Sequence, residues 1–303
     1  MINLYAPKYY GLFKCIADKC THNCCIGWEI DVDPEAMEKY LKMDFGYGAE
    51  IKQTIDNEVA PHFRLGKNDR CPHLDENGLC RIISELGEGY LCEICREHPR
   101  FYNFTPHRAE VGLGMACEEA CKMILHSDQF NNFTVIECLD GETYADGFDP
   151  IKLRQIIFDI LSDSKLTHLE KLKKISELCY FDKNEYSNKE ITEMLESLEY
   201  MSEENKAMIC DYSCSDNVEA ELEKPLERAI AYFVYRHCTK AEDESEFYEI
   251  LRFALLCYSI LVSIAVKKSL KTADDLIPYA RMVSEELEYS EDNTATLIEK
   301  INI

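Results

Sequence analysis

The sequence predicts a mainly α-helical protein in two parts. Residues 1–138 form an irregular, cysteine-rich domain with a few short strands, suited to a metal ion or cluster, and residues 149–303 form an all-helical domain. Three observations carry this. Ten of the 16 cysteines fall in the first 121 residues, in tight groups. Most of the glycine and proline falls there too. From residue 149 onward, apolar residues recur at three- and four-residue intervals and strand-like alternation is nearly absent.

Taken in order, the first part is punctuated by Ala60-Pro61, Asp75-Glu76-Asn77-Gly78, His98-Pro99 and Thr105-Pro106, each a turn signal. Asp33 followed by Pro34 reads as a cap and first helical position, opening a helix to about Met43. A second helix is expected over 49–59, extended pieces over 62–65, 79–83 and 108–115, and a helix from near Cys117 to Ile124. The stretch 138–149 is the expected domain boundary. Pro150 then opens a helix whose stripe holds Ile151, Ile156, Ile157, Ile160 and Leu161. Helices follow over 166–178, 188–201, 219–238, 245–268, 272–288 and 292–301. The uncharged apolar run 253–266 is 14 residues long, closed by Arg252 and Lys267. That is too short to span a bilayer and reads as the central core helix.

The formal charge of −24 excludes the basic phosphate-binding face that nucleic acid requires. It favours solubility and attraction of lysine-rich segments. The first eight residues carry no apolar signal-peptide core. A cytoplasmic protein with no membrane partner is expected, in a compartment where clustered thiols bind metal rather than pair as disulfides.

The thiols fall as Cys15, Cys20, Cys24 and Cys25, then Cys71 and Cys80, then Cys92-x-x-Cys95 and Cys117-x-x-x-Cys121. Short spacings let one turn deliver two sulfurs to one point, as a soft metal or an iron–sulfur cluster requires. Neighbouring Cys24 and Cys25 point apart, so one of them joins a given ion. A metal that merely staples an irregular domain meets the same pattern. Cys138, Cys179, Cys210, Cys214, Cys238 and Cys257 are scattered singly and read as small core residues. His22, His73 and His98 read as hydrogen-bonding neighbours, and Trp28 as packing. Arg96 and Arg100 read as charge partners of the thiols, with a hold on a cofactor carboxylate as the alternative. The fragment Glu110-Val111-Gly112-Leu113-Gly114 is a weak echo of a nucleotide loop and reads as plain strand.

The strings Phe13-Lys14-Cys15-Ile16-Ala17-Asp18-Lys19-Cys20, Thr21-His22-Asn23-Cys24-Cys25-Ile26-Gly27-Trp28, Arg70-Cys71-Pro72-His73-Leu74 through Gly78-Leu79-Cys80-Arg81-Ile82, and Cys95-Arg96-Glu97-His98-Pro99-Arg100-Phe101-Tyr102 occur in an order that resembles the flagellin lysine-N-methylase (FliB) family. More distantly it is similar to the small zinc- or iron-chelating cysteine-cluster domains of bacteria. The resemblance is dense over residues 5–125 and weaker beyond, as at Ala231-Tyr232-Phe233-Val234-Tyr235-Arg236. It implies metal ligands at Cys15, Cys20, Cys24, Cys25, Cys71, Cys80, Cys95 and Cys117, with Cys92 and Cys121 as extras and Glu118 where the family usually has proline. It implies S-adenosyl-L-methionine as methyl donor, a [4Fe–4S] cluster (zinc as second choice), and flagellin surface lysines as substrate. The chain is shorter than the family leads one to expect, which leaves room for a relative that has lost activity. No spacing singles out a catalytic base among 18 tyrosines and 57 acidic residues. The alternative is a metal- or cluster-binding module without activity, its helical half a scaffold for a partner.

Overall fold

The computed structural model describes residues 1–141, 147–181 and 186–302. They form two compact units: Lys14–Pro99, and Met1–Phe13 together with Arg100–Ile303. The sequence expectation placed the division at 138–149, of which residues 142–146 lie outside the described part. The first thirteen residues and everything after Arg100 group with the helices because strands from both ends of that stretch pair with one another.

In the smaller unit, helix α1 (Pro34–Leu41) begins where the sequence placed it. The Asp33 side chain accepts from Ala36 N at 2.9 Å. Helix α2 (Tyr47–Thr54) stops earlier than expected and gives way to a two-residue strand, β2 (Ile55–Asp56), paired with β3 (His62–Phe63). The extended piece expected over 79–83 is instead helix α3 (Arg81–Leu86): the extended backbone stops at Cys80, which bridges Leu74 and stands just before the helix. A short helix α4 (Glu93–Glu97) follows. Asp33 also accepts from Glu93 N at 2.6 Å, which ties α4 to the start of α1. Tyr40, Ile51, Phe63 and Cys92 are fully buried at the centre of the unit.

The larger unit contains a four-stranded mixed sheet that the sequence reading did not anticipate in full. Strands β1 (Ile2–Pro7), β4 (Arg100–Phe104), β5 (Ala109–Leu113) and β6 (Phe133–Leu139) lie in the order β4-β5-β1-β6. β1 runs parallel to β5 and antiparallel to β6. Ile2, Leu4 and Ala6 alternate inward, and every residue of β5 is buried.

Helix α5 (Glu118–His126) starts after Cys117, as expected. The helical part comprises α6 (Pro150–Ser162), α7 (His168–Leu178), α8 (Asn188–Glu196), α9 (Glu203–Cys210), α10 (Ala220–His237), α11 (Glu244–Lys267), α12 (Ala273–Val283) and α13 (Glu291–Ile301). The expected helix over 188–201 ends sooner, and α9 was not foreseen. A π-helical turn, Ser284–Glu288, extends α12. By length and composition α11 is apolar enough to cross a membrane, yet every residue from Phe253 to Ala265 is packed inside. It is the core helix the apolar run announced. Cys179, Cys238 and Cys257 are buried in this core as expected, whereas Cys138 is exposed on β6, which lies at the sheet edge.

Candidate functional site

The turns of the smaller unit gather thiols. Cys71 N donates to Cys25 O at 2.8 Å, laying the 24–25 and 71 loops side by side. Asp75 folds the 71–80 loop on itself: its Oδ1 accepts from Asn77 N and Leu79 N, both at 2.8 Å, and Gly78 takes the positive φ of 79° that the turn requires. Cys80 and Cys92 then occupy the residue just before α3 and α4, with Cys95 one turn into α4.

The charges of these groups reach one another. Cys24 is exposed, and the hydrogen bond from the Cys25 thiol, with His98 beside it, holds its pKa well below the ordinary thiol range. The same bond pushes the Cys25 pKa up, helped by burial and by Cys24, Cys71 and Cys95. The two neighbours therefore share a proton rather than ionise together. Burial, with Cys80 and Cys24 nearby, raises Cys71 to about 11. Burial raises Cys95 as well, seconded by Cys92, Cys71, Cys80 and Cys24.

Of the eight cysteines expected as ligands, Cys24, Cys25, Cys71, Cys80 and Cys95 thus share one neighbourhood. Cys92, set aside as an extra, joins them; it is buried and lies 3.5 Å from the Tyr40 hydroxyl. The C-x-x-C spacing was the signal for it. Cys15 is exposed, and Cys20 donates to His22 O at 2.5 Å. Cys117 belongs to the other unit, where Cys121 and Tyr289 are its neighbours.

His73 is excluded as a ligand. Thr54 Oγ1 donates to Ile51 O, so His73 Nε2 donates to Thr54 at 3.1 Å while Nδ1 accepts from Tyr47 at 2.8 Å. Burial lowers its pKa to about 4, so the ring is neutral. The donor chemistry suits a soft metal, but the spacing as it stands does not close a coordination sphere. Among the described residues no three or more His, Cys, Asp or Glu side chains are placed to hold an ion.

Sequence reasoning missed buried ionic centres among the described residues of the larger unit, and those built on Glu110, Glu227 and Glu288 each gather more than one partner. Glu110 on β5 accepts from Arg154 Nη1 and Nη2 at 2.5 and 2.7 Å and pairs with Arg108 at 2.7 Å. Glu227 on α10 meets Lys171 at 3.0 Å, Lys224 at 2.8 Å and His168 at 3.2 Å. Glu288, in the π-helical turn, accepts from Tyr232 at 2.6 Å and also from Ser284, with His237 at 2.6 Å and Arg236 at 3.5 Å.

Around that last centre the backbone is crowded. A Cβ on Gly114 would stand 1.9 Å from the Tyr289 hydroxyl, and one on Gly112 would stand 2.3 Å from the Phe101 ring. The Glu110-Val111-Gly112-Leu113-Gly114 fragment is therefore a strand whose glycines admit aromatic side chains, as its structural reading held. Glu288 is fully enclosed by its donors, so it orders the core and does not meet a substrate amine. A signal existed for the Glu227 centre: His168, Lys171 and Ile175 lie on one face of α7, at three- and four-residue spacing.

A lysine-N-methylase of Salmonella typhimurium is 29% identical over 139 residues, 41% of this chain and 33% of that protein. The flagellar biosynthetic protein FliU of Salmonella muenchen is 30% identical over 138 residues, 41% of this chain and 78% of that protein. The chain belongs to the FliB/FliU lysine-N-methylase family. A second lysine-N-methylase of the family, from Salmonella choleraesuis, is 29% identical over 139 residues. The chain spans about a third of the length of the two lysine-N-methylases it matches. No protein-family profile and no solved structure matches it.

Proposed function

We propose that this chain is a protein-lysine N-methyltransferase that uses S-adenosyl-L-methionine, with flagellin as its substrate and the cytoplasm as its location. The observation that carries the reading is its similarity to two proteins named lysine-N-methylase and one named for flagellar biosynthesis. The reaction is an in-line displacement. The lone pair of a neutral lysine ε-amine attacks the sulfonium methyl carbon, the carbon–sulfur bond breaks, and sulfur keeps the electron pair as a neutral thioether. The amine then gives up a proton. Orientation of the two reactants and exclusion of water supply most of what a protein can add to such a step. The net charge of −24 attracts lysine-bearing segments, an effect that salt screens. All sixteen cysteines are free thiols, which suits a reducing compartment.

The test is intact-mass measurement of flagellin after incubation with the anaerobically purified protein and S-adenosyl-L-methionine. Mass increments of one methylene each are expected. Unmodified flagellin, with the donor shown to be intact, would overturn the reading.

The methyl transfer as written needs no electrons from a metal. A soft metal or cluster at the thiols is proposed as a structural element that holds the loops of the smaller unit. Of the eight expected ligands, Cys71, Cys80 and Cys95 with Cys24 or Cys25 are proposed to hold it, which their mutual electrostatic influence supports; Cys15, Cys20 and Cys117 are kept as candidates. Serine at Cys71, Cys80 or Cys95 should lower metal content per chain by at least one half, measured by elemental analysis. Serine at Cys179, Cys210 or Cys257 should leave it unchanged. Equal metal in all six variants would remove the thiol site. The limited match to the methylases favours, as a second reading, a thiol-bearing binding module whose helices dock a partner, and the flagellin assay separates the two.

A further inference from the structure

The two units close separate apolar cores. The cluster around Tyr40, Ile51 and Phe63 takes all its members, buried and half-buried, from residues 25–95. The clusters of the larger unit draw, among the described residues, only on residues 2–13 and 101–301. Lys14–Pro99 is thus an insertion, which the chain enters after Phe13 and leaves at Arg100. The stem of that insertion belongs to the larger unit. Arg100 Nε donates to the Tyr10 hydroxyl at 3.0 Å, and the guanidinium carbon lies 5.8 Å from the centres of the Tyr10 and Phe13 rings. β1 before the stem and β4 after it lie in one sheet. Residues of the larger unit therefore suffice to hold both ends of the insertion together.

The two cores are held by different means. In the larger unit, α10 and α11 run for 18 and 24 residues, and every residue of α11 from Phe253 to Ala265 is packed inside. In the smaller unit, α1 and α2 have 8 residues each, and β2 pairs with β3 over 2 residues. Helices of that length do not persist in water without packing. The packing they have is made in part of thiols: Cys71 and Cys92 are buried members of the cluster, and Cys25, Cys80 and Cys95 pack against it. A metal shared by such thiols ties together three stretches of chain, around 25, 71–80 and 92–95, that the short helices and the small sheet do not bind to one another.

We infer that the smaller unit is a metal-gated insertion: loss of the ion or cluster held by its thiols unfolds Lys14–Pro99 and leaves residues 1–13 and 100–303 folded. This rests on the reading of the thiols as metal ligands. The unfolded insertion is a long loop closed at its base by Arg100, Tyr10 and Phe13, and closing a long loop costs little more than closing a shorter one. The larger unit keeps its sheet, its core helix and its ionic centres. Metal supply then decides whether the protein presents a folded smaller unit, and restoring the metal restores that unit without refolding the rest.

The experiment is hydrogen exchange, read by mass spectrometry, on the full chain purified without oxygen and kept with a thiol reductant. It is measured as purified, after stripping with a chelator, and after reloading with zinc, with metal content followed by elemental analysis. Stripping should speed exchange in α1, α2 and α4 by about tenfold or more, while α10 and α11 change by less than about twofold. Zinc should return the slow exchange. Cys95→Ser should open α1, α2 and α4 in the same way with no chelator added. Equal protection of α1, α2 and α4 in the loaded and stripped chains would overturn the inference. So would α10 and α11 opening together with them, since the two units would then unfold as one. Both results leave the thiol site standing. A chain that holds no metal as purified and takes up no zinc removes the site itself, and the inference with it.

Discussion

Replacing Glu110 by alanine should destabilise the larger unit by about 3–5 kcal/mol, the cost of removing one partner from a buried ion pair. The carboxylate is fully buried and takes two hydrogen bonds from one guanidinium and an ion pair from another. Arg154 is 2% exposed, so the alanine variant would leave its charge without a counterion and without water. Some compensation remains, because the Phe133, Phe158 and Tyr235 rings lie within 5.5 Å of that guanidinium.

Glu110→Gln keeps the shape and one acceptor but loses the charge, and should fall between the alanine variant and the native protein. Combining Glu110→Ala with Arg154→Leu should recover part of the loss, since the stranded charge is then gone. The measurement is the urea midpoint of the helical signal for the four proteins. A loss below about 1 kcal/mol for Glu110→Ala would mean that water enters and solvates the arginines, and that the triad is not the buried centre described.

Glu110 also marks where the sequence stopped being legible. Local chemistry was readable: Asp33 and Pro34 opened a helix, Asp75 to Gly78 turned the chain between Cys71 and Cys80, and the apolar run after Arg252 formed the core helix. Each is decided by residues a few positions apart. The sheet was not readable, because β1 pairs with β5 and β6, more than a hundred residues away, over only a few inward-facing side chains. The ionic centres share that property. Glu110 meets Arg154 at a separation of 44 residues, Lys171 meets Glu227 at 56 and His237 meets Glu288 at 51. No local pattern distinguishes a glutamate destined for such a partner from one destined for water. At the thiols the spacing identified which residues are close in sequence. Whether Cys117 or Cys92 stands with the others depends on which unit each strand and helix joins.

The Glu227 centre should make stability fall on acidification, and Glu227→Gln should abolish most of that fall. Burial pushes the Glu227 carboxyl up, but hydrogen bonds from His168, Lys224 and Lys171 outweigh it and bring the pKa down to about 2. A carboxyl whose folded pKa lies below its unfolded one adds stability that is fully present above the unfolded value, about 4.3, and is lost as pH falls toward 2. A difference of that size corresponds to about 3 kcal/mol. Lys171 works the other way: burial pulls its pKa down, so its ammonium is held at a cost and the whole cluster is worth less than the glutamate's share. That cost does not vary across the acid range, where the lysine stays protonated, so the pH dependence belongs to Glu227. Stability measured by urea unfolding should therefore be higher in the native protein than in Glu227→Gln at pH 6, and the two should converge as pH approaches 2. All other carboxylates titrate in both proteins and cancel from the difference. Curves that stay parallel from pH 6 to the acid limit would show that Glu227 is not held ionised by its partners, and that the lysines and the histidine on α7 and α10 are packed beside it without binding it.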